Sequence, residues 1–259
     1  MFLKRLAGHI RKQDWFIVLI ELLVVVVGLM MAFQLDRWWE DIGDKKLERV
    51  YIQRLIDDIE SDIPKLESAI RLADMRKDYA ELLMDVAGNP AVAAQQPASF
   101  LVAVDQASFT FSPALRKATY DDLRSTGNMR LIRDPEIKTR LHDYYSFDET
   151  QLQFRPLQFS VEFHHFKLAN GVRSNDQVRF RQDKWMLVGP KDSEEVENTD
   201  PGNPDEVMAA AERLSNRPEL VSWLTQLREL QMDQMLTHKK RIEFANAAIE
   251  SLKGYGESR

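Results

Sequence analysis

The sequence contains no cysteine. This absence excludes disulfide bonds, thiolate zinc sites and thiol nucleophiles. The short motifs of common active sites are also missing, since there is no glycine-rich phosphate loop, no GxSxG and no HExxH. We therefore expect no enzyme activity, no catalytic residue, no metal site and no cofactor. A hydrolase built from unrecognised residues is the remaining enzyme hypothesis, because fold class alone does not exclude it.

The net charge is negative outside the N-terminal end, where acidic residues outnumber Lys and Arg. The 259 residues carry a net charge of −6, yet residues 1–33 carry +2. Residues 34–259 therefore carry −8. Because an acidic surface repels phosphate backbones, we expect no nucleic-acid partner.

Only one long hydrophobic run occurs, and it extends from Trp15 to Phe33 with a single charged residue. At about 1.5 Å per residue, it spans roughly 28 Å, close to the ~30 Å hydrocarbon core of a bilayer. Trp15 begins the run, and Trp38 and Trp39 follow it, as is typical of the two membrane interfaces. This pattern predicts a transmembrane helix at 15–33.

Two alternatives concern how this segment is used. A cleaved signal peptide usually has a shorter apolar core followed by small residues, so we favour an uncleaved anchor. Four Lys or Arg residues precede the span and three follow it closely, which predicts a cytoplasmic N-terminus and a periplasmic domain in a bacterial inner membrane. Residues 1–14 are predicted to be a basic interfacial helix or a flexible basic tail.

Three residues within the span bear on assembly. Glu21 places an ionisable group about 9 Å inside the near edge of the hydrocarbon, where such groups are commonly functional. Three roles are open for Glu21. It supports assembly, it faces lipid as a neutral group, or it conducts ions or protons. Gly28 and Ala32 form a small-xxx-small pair, which lets two helices approach closely. Because Glu21 shares nearly the same face, we predict a homo-oligomer or a pairing with another membrane protein.

Beyond the span, the hydrophobic pattern is helical. Apolar residues recur mostly every three or four positions from about 34 to 86, and again from about 218 to 253. Two such stripes predict an all-α soluble domain, residues 34–259, built as an antiparallel helical bundle with long first and last helices. Pro64 should kink or restart the first of these helices.

Shorter signals divide the rest of the domain. Residues 87–98 and 189–205 are polar and rich in proline and glycine, which predicts loops. A small β-hairpin is compatible with the pattern at 177–188. Gly127 is typical of the position just after a helix, and Asp134, which is followed by proline, is typical of a helix start.

Two acidic clusters are candidate cation sites. The first consists of Asp57, Asp58, Glu60 and Asp62, and the second of Asp200, Asn203 and Asp205. For the first cluster we favour the alternative, charge on a solvated surface. The spacing in the second cluster differs from that of an EF-hand loop, so calcium binding is not favoured there either.

Several stretches of the sequence form a further pattern. They are Glu21 to Gly28 (ELLVVVVG), Ala32-Phe33-Gln34-Leu35 with Trp38 or Trp39, Thr119-Tyr120 to Leu123, Thr126-Gly127, Leu131-Ile132 and Tyr144-Tyr145. In these stretches the chain resembles a bacterial family of unknown function, built as one N-terminal anchor and a helical domain. The resemblance covers the N-terminal two thirds of the chain. It implies this architecture and no particular activity.

These features together predict a membrane-anchored, non-enzymatic interaction, scaffold or sensory protein on the outer face of the inner membrane. The expected partners are the lipid bilayer and a second copy or another membrane protein. The alternative hypothesis is a subunit of an oligomeric ion- or proton-using complex with Glu21 as the working residue.

Overall fold

The computed structural model describes residues 15–150, 167, 170–172 and 200–257. Within these residues every regular element is a helix and none is a strand, so the predicted all-helical class with long first and last helices is confirmed. The predicted hairpin at 177–188 and the basic segment at 1–14 lie outside the described residues. So do residues 189–199 of the second predicted loop.

Helix α1 runs without interruption from Trp15 to Gly88. Its 74 residues extend roughly 110 Å. The predicted transmembrane helix and the first helix of the domain are therefore one element. Pro64 lies inside it, so the predicted restart is wrong. Proline removes one backbone hydrogen bond, and the buried neighbours Ile59 and Leu66 hold this part of the helix in the core.

The other helices are short except the last. They are α2 (Ala91–Gln95), α3 (Pro97–Gln106), α4 (Ala118–Ser125), a 3₁₀ turn (Asn128–Arg130), α5 (Pro135–Thr150), α6 (Pro204–Ser215) and α7 (Pro218–Glu257). The loop predicted at 87–98 is wrong for most of its length, since α2 and the start of α3 lie in it. Alanines favour a helix there, and the Asn89 side chain accepts a hydrogen bond from the Ala91 amide at 3.2 Å.

Several helix ends follow the chemistry of the sequence. Gly127 has φ of +74°, a conformation that glycine adopts without the penalty of a Cβ, and it ends the turn after α4. Asp134 accepts from the amide of Glu136 at 2.8 Å and caps α5. Asn203 accepts from the amide of Asp205 at 2.9 Å and caps α6 in the same way.

Helix α7 lies antiparallel along α1. Thr225 contacts Met84, with 3.9 Å between Oγ1 and Sδ, near one end of the pair. Toward the other end, Lys253 pairs with Glu60 at 2.8 Å. Residue numbers rise along α7 as they fall along α1, so the end of α7 returns toward the apolar part of α1.

Two hydrophobic cores lie along this helix pair. The core nearer the apolar part of α1 includes Leu55, Ile59, Leu123, Leu141 and Leu252, and the distal core includes Leu83, Phe100, Leu214, Leu224 and Leu227. Each fully buried side chain of this size contributes about 1.5–3 kcal/mol relative to exposure. Buried polar side chains occupy other positions of the same helix pair, and they are Glu48, Asp62, Arg76, Gln231, Gln234, His238 and Arg241.

Candidate functional site

The apolar part of α1 is exposed to its surroundings. Nearly all described side chains from Trp15 to Glu40 are exposed, and no residue of the most apolar stretch is buried. The helix is long and apolar enough to cross a membrane. Trp38 and Trp39 lie where this stretch ends, with ring centroids 5.6 Å apart in an edge-to-face arrangement.

The three residues singled out within the span share an exposed face of α1. Gly28 lies seven residues after Glu21 and is rotated from it by about 20° around the helix, and Ala32 is rotated from Glu21 by about 20° in the other direction. A Cβ added at Gly28 would meet no described atom within 4 Å. The face is therefore open to a second helix, while no described residue of the chain contacts it.

A second group of residues ties the domain to α1 just beyond this stretch. We name it the proximal collar, formed by Asp41, Asp44 and Glu48 on α1 together with Arg130, Arg133 and Tyr255. Arg133 donates to Asp41 at 2.8 Å, and Arg130 donates to Asp44 at 2.9 Å. The hydroxyl of Tyr255 donates to Glu48 at 2.6 Å and accepts from the Arg133 amide at 3.3 Å.

The contacts of the collar differ in strength. Arg130 and Arg133 keep 67% and 56% of their side chains exposed, so water screens their ion pairs, which contribute little to stability. Hydrogen bonds from Lys45 and then Arg133 lower the pKa of Asp41. Glu48 is buried instead, with 4% exposure. The hydrogen bond between Tyr255 and Glu48 is therefore the contact most protected from water.

A cavity of about 290 Å³ opens beside the collar. It is lined by Lys45, Glu48, Arg49, Ile52, Arg133, Tyr255 and Gly256. Both charge signs are present, and none of these residues is a histidine. In the part of the chain that the structure describes, no cluster of three metal-ligating side chains occurs. The arrangement is suited to holding the helix end in place.

A buried carboxylate deeper in the domain was missed by the sequence analysis. Asp62 is 0% exposed, so the prediction of a solvated surface is wrong for this member of the acidic cluster. It accepts hydrogen bonds from Lys65 at 2.7 Å, from the Arg116 amide at 2.9 Å and from the Tyr144 hydroxyl at 3.0 Å. A signal was present in the sequence, because Asp62 takes a buried position in the stripe Leu55, Ile59, Asp62, Leu66 and Ala69.

The rest of that cluster and the second cluster have simpler roles. Asp57 and Glu60 are exposed, and Asp58 accepts from Thr119 at 2.6 Å. In the second cluster, Asp200 accepts from the amide of Gly202 at 2.9 Å, and Asn203 caps α6. Side-chain oxygens of Asp200 and Asn203 are thus engaged with backbone amides.

The fold and these contacts define a class of protein, an all-helical domain whose first helix extends into an exposed apolar segment. No protein family, no curated protein and no solved structure matches the chain. The case for a function therefore depends on the residues described above.

Proposed function

We propose that this chain is a membrane-anchored, non-enzymatic interaction, scaffold or sensory protein of the bacterial inner membrane. The observation that carries the proposal is the continuity of α1 from the exposed apolar stretch to the distal core. An apolar helix exposed on all sides is stable in lipid and unfavourable in water. The pairing of α7 along α1 supports an antiparallel bundle on the outer side.

The continuous helix gives the proposed protein a means of transmitting movement. A rotation or shift of the span displaces Glu48 in the collar, Asp62 in the middle and Leu83 in the distal core, because no loop intervenes. All three side chains are buried and contact other elements. A partner that binds the span therefore changes the position of the first helix throughout the domain.

Membrane insertion and orientation are tested by fractionation and a fusion. We expect the full-length protein to sediment with membranes and to be extracted by detergent but not by high salt. A reporter that is active only in the cytoplasm, fused after Arg259, should stay inactive. Recovery of the protein in the supernatant without detergent contradicts the anchor, and an active reporter contradicts the orientation.

Self-association through the exposed face of Glu21, Gly28 and Ala32 is the second part of the proposal. Gly28→Leu adds bulk at the closest approach of two helices and should reduce the assembly measured by native mass in detergent. Glu21→Ala tests the polar contribution. Val26→Leu, on the opposite exposed face, is the matched control and should leave the mass unchanged. An unchanged mass for both Gly28→Leu and Glu21→Ala contradicts this interface.

A second candidate function is a subunit of an ion- or proton-using complex. The observation that favours it is the exposed carboxylate of Glu21 within the apolar stretch. Glu21→Gln keeps size and polarity but removes the titratable proton. Under this hypothesis the substitution abolishes proton or ion movement into vesicles that contain the protein and its partners. Under the scaffold hypothesis it is nearly silent.

A further inference from the structure

Arg76, on α1, is a buried cation for which the described chain supplies no acceptor. It is 2% exposed, and its Nε has no hydrogen-bond partner. The other two guanidinium nitrogens of Arg76 also have no hydrogen-bond acceptor among the described residues. Arginine is almost never fully buried unless it is paired, because removing the charge from water is unfavourable.

The surroundings of Arg76 follow from the register of the helix pair. The two contacts between α1 and α7 given above, one on either side of Arg76, place it level with about residues 233–237 of α7. Gln234 lies in that turn and is 8% exposed. One turn before it, the Gln231 amide donates to the carbonyl groups on both sides of Ser108, at 2.8 and 2.9 Å. Ser108 is therefore held at nearly the same level.

Among the described residues, no acidic side chain pairs with Arg76. Burial lowers its pKa to about 10, and only a weak effect of Tyr79 opposes this. Burial also raises the pKa of Tyr79 to about 12, so its hydroxyl is neutral at pH 7. On α7, Asp233 is the acid nearest in register. Burial alone raises its pKa, with no cation acting in the opposite direction, so it is not the counter-ion of Arg76.

We propose that Arg76 binds a small oxyanion, a carboxylate or a phosphate, between α1 and α7. The guanidinium is planar and donates two parallel hydrogen bonds to such a group. The buried hydroxyl of Ser108, which has no partner in the described structure, is a further donor at this level. Gln231 Oε1 is likewise without a partner there, which suits an anion that also carries a hydroxyl, such as hydrogen phosphate or a hydroxy acid.

The position of Arg76 identifies the source of the anion. It lies 43 residues beyond Phe33, which is roughly 65 Å along the helix from the end of the apolar stretch. A lipid headgroup does not reach that far. The ligand is therefore a soluble anion of the compartment that holds the domain.

The test is the melting temperature of the full-length protein in detergent, at constant ionic strength, as chloride is replaced by inorganic phosphate or by malate. Binding to the folded state raises the melting temperature progressively with ligand concentration. Phosphate also stabilises proteins by exclusion from their surface, so a comparison between variants is required. Arg76→Met should lose the specific rise, and Arg71→Met, at an exposed arginine of the same helix, should keep it.

Two results overturn the proposal. The first is an equal rise in the wild type and in Arg76→Met, which reflects a bulk salt effect. The second is no rise in the wild type and no heat on calorimetric titration with millimolar phosphate or malate. The calorimetric titration uses the unaltered protein, so an absence of binding overturns the proposal even where Arg76→Met does not fold.

Discussion

The hydroxyl of Tyr255, two residues before the end of α7, lies 2.6 Å from a carboxylate oxygen of Glu48 on α1. The two residues are 207 positions apart in the sequence. Their hydrogen bond joins the end of the domain to its first helix, within about four turns of Phe33, where the apolar stretch ends. The bond therefore links the end of α7 to the part of α1 that continues into the exposed apolar stretch.

Tyr255→Phe tests the strength of that connection. The substitution removes the hydrogen bond to Glu48 and the acceptor of the Arg133 amide, so we expect a loss of about 1–2 kcal/mol in the free energy of unfolding. Chemical denaturation in detergent measures it. Lys253→Met removes a nearby ion pair in which both side chains are about half exposed, and it should cost under about 0.5 kcal/mol. Equal losses for Tyr255→Phe and Lys253→Met contradict the conclusion that the hydrogen bond between Tyr255 and Glu48 is the stronger connection.

The buried carboxylate of Asp62 should matter more than its acidic neighbours. Asp62→Asn removes the charge that Lys65 pairs with and turns an amide donor toward groups that already donate. We expect a loss of about 2–3 kcal/mol in the free energy of unfolding. Asp57→Asn, at an exposed position of the same helix, should change it by less than about 0.5 kcal/mol. A neutral Asp62→Asn would show that this network contributes nothing to stability.

The sequence predicted those features that depend on local chemistry. The helical period, the end of α4 at Gly127 and the capping of α5 by Asp134 are properties of neighbouring residues, and the structure has all three. The burial of Asp62 and Arg76 depends on side chains far away in the chain. Periodicity places a residue on a face, but it does not reveal which partners a polar side chain on that face will meet.

Gly127 provides a test of the local chemistry. Its φ of +74° is unfavourable for any residue with a Cβ, so Gly127→Ala should destabilise the protein by about 1 kcal/mol. Gly254→Ala is the matched control, because Gly254 lies within α7 and an added Cβ would meet no described atom within 4 Å. Alanine favours the helix there, so the control should be neutral or stabilising by up to about 1 kcal/mol. The same sign for both substitutions contradicts the interpretation.

His238 should make the stability of the domain depend on pH. It is 1% exposed, and its Nε2 lies 3.0 Å from the carbonyl oxygen of Phe111. A carbonyl only accepts, so Nε2 carries the hydrogen and Nδ1 is the unprotonated nitrogen, which has no partner among the described residues. Protonation would place a charged donor in the interior without an acceptor, and burial accordingly lowers the pKa of His238.

The direction of the pH effect follows from this shift. The folded-state pKa lies below the unfolded value of 6.5, so stability is fully present above about pH 6.5 and is lost as the pH falls from there through the folded-state pKa. His238→Gln keeps a donor for the Phe111 carbonyl but has no titratable group, so its denaturation midpoint should fall less between pH 6.5 and pH 5. His142→Gln, at an exposed position of α5, is the control and should follow the wild type. If the denaturation midpoints of the wild type and His238→Gln fall in parallel with pH, the pH dependence of stability comes from other groups. That result contradicts a buried neutral histidine.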